Sequence, residues 1–527
     1  MTPTNSKRTI TMKRLLPILM IALTLSLSVS AYAAAPGITG PTFNLVANAN
    51  YISQPDGQMI YSWGYGCNGA PAGFKPSMPG DFCNGMQIPG PTLIVTEGVP
   101  VTVTLTNNLP AAAGNTSILF PGMNVATTGG SPGLLTAEAA HGATVTYTLT
   151  ATTPGTRAYY SGTQGDLQVE MGLFGAIIVL PATVPPNCNG AIPTSNAAAQ
   201  AFNGETDFRL AHAAYDHPDS CYDREYLFQF SEMDPRIHTQ VEAQAGKTCA
   251  ASTGCLEVAT EPYHPNYFMV NGRSMPDDMD SNYATQYPQQ PYNGDPHMHP
   301  GELTLLRIIG QGRWQHPFHE HGNHVRILAR DGNLVLSQSP DPGNPSVNAL
   351  AGPLLFTTTT TPGLAMDGIF YWTGKGLNWD ILGHGYAGDP TPATLTCDIN
   401  GYFTSDPTAP NYFEWCQDHG VALESHPFGQ VAAGGPVTLP NANILTNGAW
   451  YGGSAYLGPD ATSRATGPNG TTPPSGTIAN SPSGEAGLAF MWHSHNEREI
   501  TTNNIFPGGM MMMMLVDPRV FVIDESK

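Results

Sequence analysis

Apolar and polar residues alternate strictly from Val101 to Thr106, the period-two pattern of a strand with one face in a core. The alternation stops at Asn107-Asn108-Leu109-Pro110, a turn signal. The whole stretch from Gly90 to Pro110 therefore predicts two half-buried strands. His141 to Ala151 repeats the alternation, and Met171 to Leu180 is a continuous apolar run of buried-strand length stopped by Pro181. Together these segments predict a Greek-key β-sandwich over residues 40–182. Residues 183–206, rich in Pro, Asn and Ala, predict a linker. A second strand-rich unit over 207–520 starts at Tyr226, continues through Glu302 to Ile309 and Val325 to Ala329, and closes with Met510 to Val516. Between its strands lie Gly-, Pro-, Asn- and Thr-rich stretches, notably 331–365 and 430–487, expected to be surface insertions. The expected fold class is all-β, two sandwiches with long loop insertions.

Composition agrees with this reading. The chain of 527 residues contains 58 Gly and 48 Pro, about a fifth of all positions, which favours turns and short strands over long helices. Only 11% of residues are charged, against roughly 25% in average proteins, so Thr, Ser, Asn and Gln must supply most of the polar surface. The net charge of −20 comes without any basic block after the N-terminus, which argues against nucleic acid as a partner. At the N-terminus Lys7, Arg8, Lys13 and Arg14 precede the apolar run Leu15 to Val29, and Ala31-Tyr32-Ala33 supplies small residues for cleavage. Residues 1–33 thus read as a secretory signal peptide, with an uncleaved anchor as the alternative. Cleavage leaves no later stretch able to span a membrane and places the chain in the periplasm, outside the cell or at its surface. In such an oxidising compartment eight cysteines predict disulfides, and near-neighbour pairing suggests Cys67 with Cys83, Cys188 with Cys221, Cys249 with Cys255 and Cys397 with Cys416. A zinc site is the weaker reading, because no Cys-x-x-Cys occurs.

The histidines carry the chemistry. His316-Pro317-Phe318-His319-Glu320-His321-Gly322 and Trp492-His493-Ser494-His495 each hold a His-x-His pair, and on an extended segment both members of such a pair project to one face. These motifs, with Gly90–Pro110 and Gly155–Val179 upstream, resemble those of the multicopper oxidases, laccase-like proteins built from cupredoxin domains. The resemblance covers most of the chain beyond residue 33 and implies two cupredoxin-like sandwiches. It also implies a type 1 copper held by a Cys thiolate and two His, and a trinuclear cluster held by eight His, four from each of two domains. The chain departs from that pattern. Leu119-Phe120-Pro121-Gly122 stands where the family has His-Trp-His-Gly, and Tyr160-Ser161-Gly162 where it has His-Ser-His. Ser494 replaces the type 1 Cys, and Glu499 the second type 1 His. A hydroxyl does not replace a soft thiolate.

Five histidines remain as candidate metal ligands: His316, His319, His321, His493 and His495. Imidazole suits copper, with zinc and nickel as further options, and the Irving–Williams order favours copper, here at fewer than four ions per chain. His316 and His324 flank the pairs and could also orient them from outside. Glu320, Glu497, Arg498 and Glu499 interleave with the histidines, either as an ion-paired patch or in proton transfer. His297-Met298-His299 reads as a turn or as a mixed nitrogen and sulfur copper site. Met510 to Met514 read as adaptable core packing or as a Cu(I) track. Asp277, Asp278 and Asp280 form a solvated loop or a Ca²⁺ site, and His426 has no assigned role. Two functions stay open: an exported metal-binding or metal-linked redox protein without laccase-type oxygen reduction, or a catalytically inert cupredoxin-fold module for binding or surface assembly. The expected partner is a metal ion; a redox partner and the oligomeric state stay open.

Overall fold

The computed structural model describes residues 35–71, 73–75, 83–188, 199–200, 203–249, 254–375, 396–409, 411–417, 453–456, 487–519 and 521–526. Residues 1–33, His426 and most of 430–487 lie outside the described residues. Among the described residues two β-sandwiches account for nearly all regular structure, the all-β class that the alternation predicted. In the first, one five-stranded sheet runs in the order Gly155–Tyr160, Phe174–Leu180, Gly90–Thr96, Gly37–Thr39, Phe74–Lys75. The facing sheet runs Met59–Cys67, Thr42–Ser53, Pro100–Asn107, Thr144–Thr150, Asn124–Gly129. Val101, Val103 and Leu105 are buried and lie opposite Leu149, Tyr147 and Val145 across the sheet. Their intervening threonines face outward, which is what period-two patterning requires.

Gly90–Thr96 departs from expectation: Gly90 to Val95 are all buried, so this strand is not half-exposed. Its sheet has cover on both faces. One face packs on the first core, and the other turns Ala158, Ala176 and Ile178 against Leu227, Ile309 and Ala365 of the second sandwich. A buried polar joint accompanies these small residues: Thr156 Oγ1 donates to Asp367 at 2.6 Å, and Arg307 donates to Glu225 and to Thr156 at 2.9 and 3.1 Å. Helix Pro235–Glu242 ties the units further by placing Ile237 and Val241 in the first core. Asp234 caps this helix by accepting from the Arg236 N–H at 3.0 Å.

In the second sandwich the inner sheet runs Tyr267–Val270, Arg224–Met233, Leu303–Gly310, Ala365–Tyr371, Val325–Arg330, Asn333–Leu334. The outer sheet runs His297–Met298, Met511–Val516, Gly487–Ser494, His316–Glu320, Thr357–Thr360. Phe228, Phe230 and Phe370 from the inner sheet meet Phe318, Phe490, Trp492, Met512 and Met514 from the outer one. The stretch 331–365 is not a plain insertion, because it forms short strands, and its Thr357–Thr360 completes the outer sheet beside His316–Glu320. All four disulfides join the cysteines paired by proximity in sequence: Cys67–Cys83, Cys188–Cys221, Cys249–Cys255 and Cys397–Cys416. Among the described residues no helix is long and apolar enough to cross a membrane.

Trp492 is fully buried between the sheets, and its indole N–H donates to the His321 carbonyl at 2.9 Å. Trp492→Ala is expected to cost about 3–5 kcal/mol through the cavity it leaves. The check is a lower urea midpoint with near-UV dichroism of the aromatic core lost first.

Candidate metal centre

Strand His316–Glu320 pairs antiparallel with Gly487–Ser494 in the register Phe318 to Ser494, His319 to His493 and Glu320 to Trp492. Phe318 and Trp492 fill the core, so side-chain alternation sends His319, His321, His493 and His495 to the other face of the outer sheet. There the rings form one group. Ring centroids are 4.9 Å apart for His319 and His321, 4.9 Å for His319 and His495, 5.1 Å for His321 and His493, and 5.4 Å for His493 and His495. His493 Nδ1–H donates to the Ser494 carbonyl at 2.7 Å, which leaves its Nε2 lone pair facing His321 Nε2 at 3.2 Å. Thr357 Oγ1 lies 2.7 Å from His319 Nδ1 and fixes that ring from the edge strand. Burial, and then the charges that His493 and His495 would carry, lowers the His319 pKa to about 4; burial likewise lowers that of His493. Both rings therefore offer neutral nitrogen at pH 7. His495 is half-exposed, with Glu497 3.4 Å away, so the group opens to solvent on one side.

His316 does not join this group, which corrects its place among the candidate ligands. It points to the opposite face with Phe318, and both of its nitrogens are engaged: Nδ1 with Glu499 and Nε2 with Glu232, each at 2.9 Å. Ser494 Oγ donates to the same Glu499 oxygen, and Asn496 donates to the other at 2.8 Å. Glu232 also accepts from the backbone N–H groups of Arg313 and Trp314 at 2.7 and 2.9 Å and from Tyr263 at 3.3 Å. Burial alone would lower the His316 pKa, but the hydrogen bonds and charges of Glu232 and Glu499 raise it to about 9. His316 is thus an imidazolium held between two carboxylates.

The other flanking residues act locally. Glu320 is buried, accepts from Thr358, and is pushed up to about 8 by burial. His324 packs on Phe356 at 5.0 Å, the ring that also meets His319. Arg498 donates to Pro265 and Asn266, away from the rings.

The first-domain positions lie elsewhere. Leu119 and Tyr160 are paired through their backbones, and a Cβ on Gly162 would stand 2.7 Å from the Leu119 side chain. With Gln311, Gly312, Pro362 and Gly363 they line a cleft of about 280 Å³ whose lining contains none of the four clustered histidines. A second acidic and histidine group, Glu205, His299 and Glu302, brings its ligand atoms within 4.8 Å of one another. The guanidinium of Arg224 already lies against both carboxylates, donating to Glu205 at 2.7 Å and to Glu302 at 3.0 Å. No spacing pointed to Glu205 or Glu302. Glu232 did leave a signal, a carboxylate inside a strand run buried from Arg224 to Met233, since a buried charge demands a partner.

Residues 78–183 match the family model described as multicopper oxidase. Over those residues the chain is multicopper oxidase-like. Among solved structures it is similar to the multicopper oxidase mgLAC, at 14% identity over 92% of this chain and 87% of that one, with a TM-score of 0.43. A blue copper oxidase from Nitrosomonas europaea gives 14%, 90%, 85% and 0.43, and a copper nitrite reductase from the same organism 16%, 63%, 84% and 0.36. No curated protein sequence matches the chain.

Because its folded pKa of about 9 lies above the ordinary histidine value of 6.5, His316 contributes stability that is complete below about pH 6.5 and is lost as pH rises through 9. Urea midpoints measured from pH 6 to 10 should fall across that window. Glu232→Gln with Glu499→Gln should flatten the fall, and an unchanged slope in that variant would contradict the assignment.

Proposed function

We propose that the protein is an exported copper-binding protein on a multicopper oxidase scaffold, holding one ion through His319, His321, His493 and His495, in copper binding or metal-linked redox chemistry without laccase-type oxygen reduction. The observation that carries this reading is the convergence of four imidazoles on one sheet face. Metal–nitrogen bonds of about 2.0–2.1 Å separate neighbouring ligand nitrogens by roughly 2.9 Å in a square and roughly 3.3 Å in a tetrahedron. The 3.2 Å between His321 and His493 falls in this range. Copper held there would supply a one-electron couple between Cu(II) and Cu(I). The chain's own part is positional: Thr357 and the Ser494 carbonyl orient two of the rings, and partial burial keeps them neutral. Export rests on residues 1–33 and the four disulfides.

Two observations favour a role without oxygen reduction. Ser494 and Glu499 belong to the His316 ion pair and offer no soft ligand, while Leu119, Pro121, Tyr160 and Gly162 offer no imidazole. We place the ion at the four histidines rather than at Glu205, His299 and Glu302, because Arg224 already supplies the cation there. An inert binding module is the alternative reading, motivated by the apolar packing of Leu119 on Gly162.

Copper-loaded protein should hold about one ion per chain by elemental analysis and lack an intense blue thiolate band. His319→Ala with His493→Ala should abolish that copper. Neither wild type nor Ser494→Cys should oxidise phenolic dyes with oxygen uptake. A full complement of four coppers, or copper unchanged in the double variant, would refute the proposal.

A further inference from the structure

The register that gathers the histidines also sorts the methionines of the C-terminal strand. Met511–Val516 pairs antiparallel with Gly487–Ser494, with His493 opposite Met511, Met491 opposite Met513 and Trp492 opposite Met512. Met510, Met512 and Met514 are fully buried in the core of the second sandwich. Met491, Met511 and Met513 therefore lie on the other face, the face of the four histidines. Met511 is buried there, while Met491 and Met513 are partly open to solvent.

We propose that Met491, Met511 and Met513 form a thioether site for a soft monovalent cation, Cu(I) or Ag(I), beside the histidine group and distinct from it. Directly opposed residues on neighbouring strands have Cβ atoms about 4.5–5.5 Å apart, and diagonal neighbours lie about 7–8 Å apart. Met491 and Met513 are the opposed pair, and Met511 is diagonal to Met491. Three unbranched side chains rooted at those spacings are long enough to bring their sulfurs to one ion. Met279 stands at the strand's edge, its sulfur accepting the Met513 backbone N–H at 3.4 Å, and packs against the core of the second sandwich. Thioethers are soft, uncharged ligands that favour Cu(I) and bind hard divalent ions weakly, whereas imidazole takes Cu(II) readily. His493 lies directly opposite Met511, so the face offers soft and borderline ligands side by side. Core packing explains Met510, Met512 and Met514. It does not explain methionine on the partly open face, where Thr or Val would suit a strand as well.

Ag(I), which has no redox chemistry in buffer, is the probe. Anaerobic titration of the whole protein by calorimetry, with ε-methyl spectra of ¹³C-labelled Met, should show a tight site whose binding shifts the Met491, Met511 and Met513 resonances, assigned from single Met→Leu variants. Met491→Leu with Met513→Leu nearly conserves volume and should weaken that site by about tenfold or more. His319→Ala with His493→Ala should leave Ag(I) binding in place. Unshifted methyl resonances, undiminished binding in the Met double variant, or loss of Ag(I) from the His double variant would each overturn the thioether site. Cu(II) binding reports separately on the histidines, so failure of one site is distinguishable from failure of the other.

Discussion

The pairing of His316–Glu320 with Gly487–Ser494 governs the chemistry of the second sandwich, because a strand offers alternate residues to opposite faces and the register decides which histidines meet. With His319 opposite His493, four rings share the outer face while His316, Glu320 and Ser494 turn inward beside Phe318 and Trp492. A shift of one residue in either strand would send the imidazoles into the core and Phe318 or Trp492 into water. The apolar core thus holds the register, and the polar groups follow. The edge strand Thr357–Thr360 adds the last constraint by seating a hydroxyl on His319.

Much of this was legible in the chain. The alternation from Val101 to Thr106 gives both the strand and its buried face, the cysteine spacing gives the pairs, and the two His-x-His motifs give rings on a common face once their strands are neighbours. What stayed hidden depends on distant partners. Gly90–Thr96 is buried throughout because a second sandwich covers it, and the strand's own residues do not announce that neighbour. Likewise His316 reads as a ligand in its motif, yet Glu232 and Glu499, 84 and 183 residues away in the chain, occupy both of its nitrogens. Thr357 sits in a Thr-rich stretch that reads as loop, and only tertiary pairing makes it a strand.

The inward and outward faces obey opposite electrostatic rules. On the outer face burial, and then the charges that His493 and His495 would carry, disfavours protonation of His319, and burial disfavours that of His493, so these two rings stay neutral and able to bind a cation. On the inner face one imidazole lies between two carboxylates, and attraction keeps it protonated. A charged His316 has no lone pair to offer a metal. Removing a single partner from such a buried group typically costs about 3–5 kcal/mol, since a charge is left unpaired in a low-dielectric core. This coupling makes Ser494 and Glu499 hard to change one at a time.

The same reasoning extends to the first sandwich. Leu119, Tyr160 and Gly162 form a packed wall in which Leu119 fills the space a side chain at 162 would need. That wall lines a cleft at the junction with Gln311 and Gly363, whereas the four rings lie on the face of the outer sheet turned away from the shared core. A side chain at 162 would therefore crowd the wall against Leu119. Among the described residues, the outer sheet carries the groups to which we assign the metal chemistry.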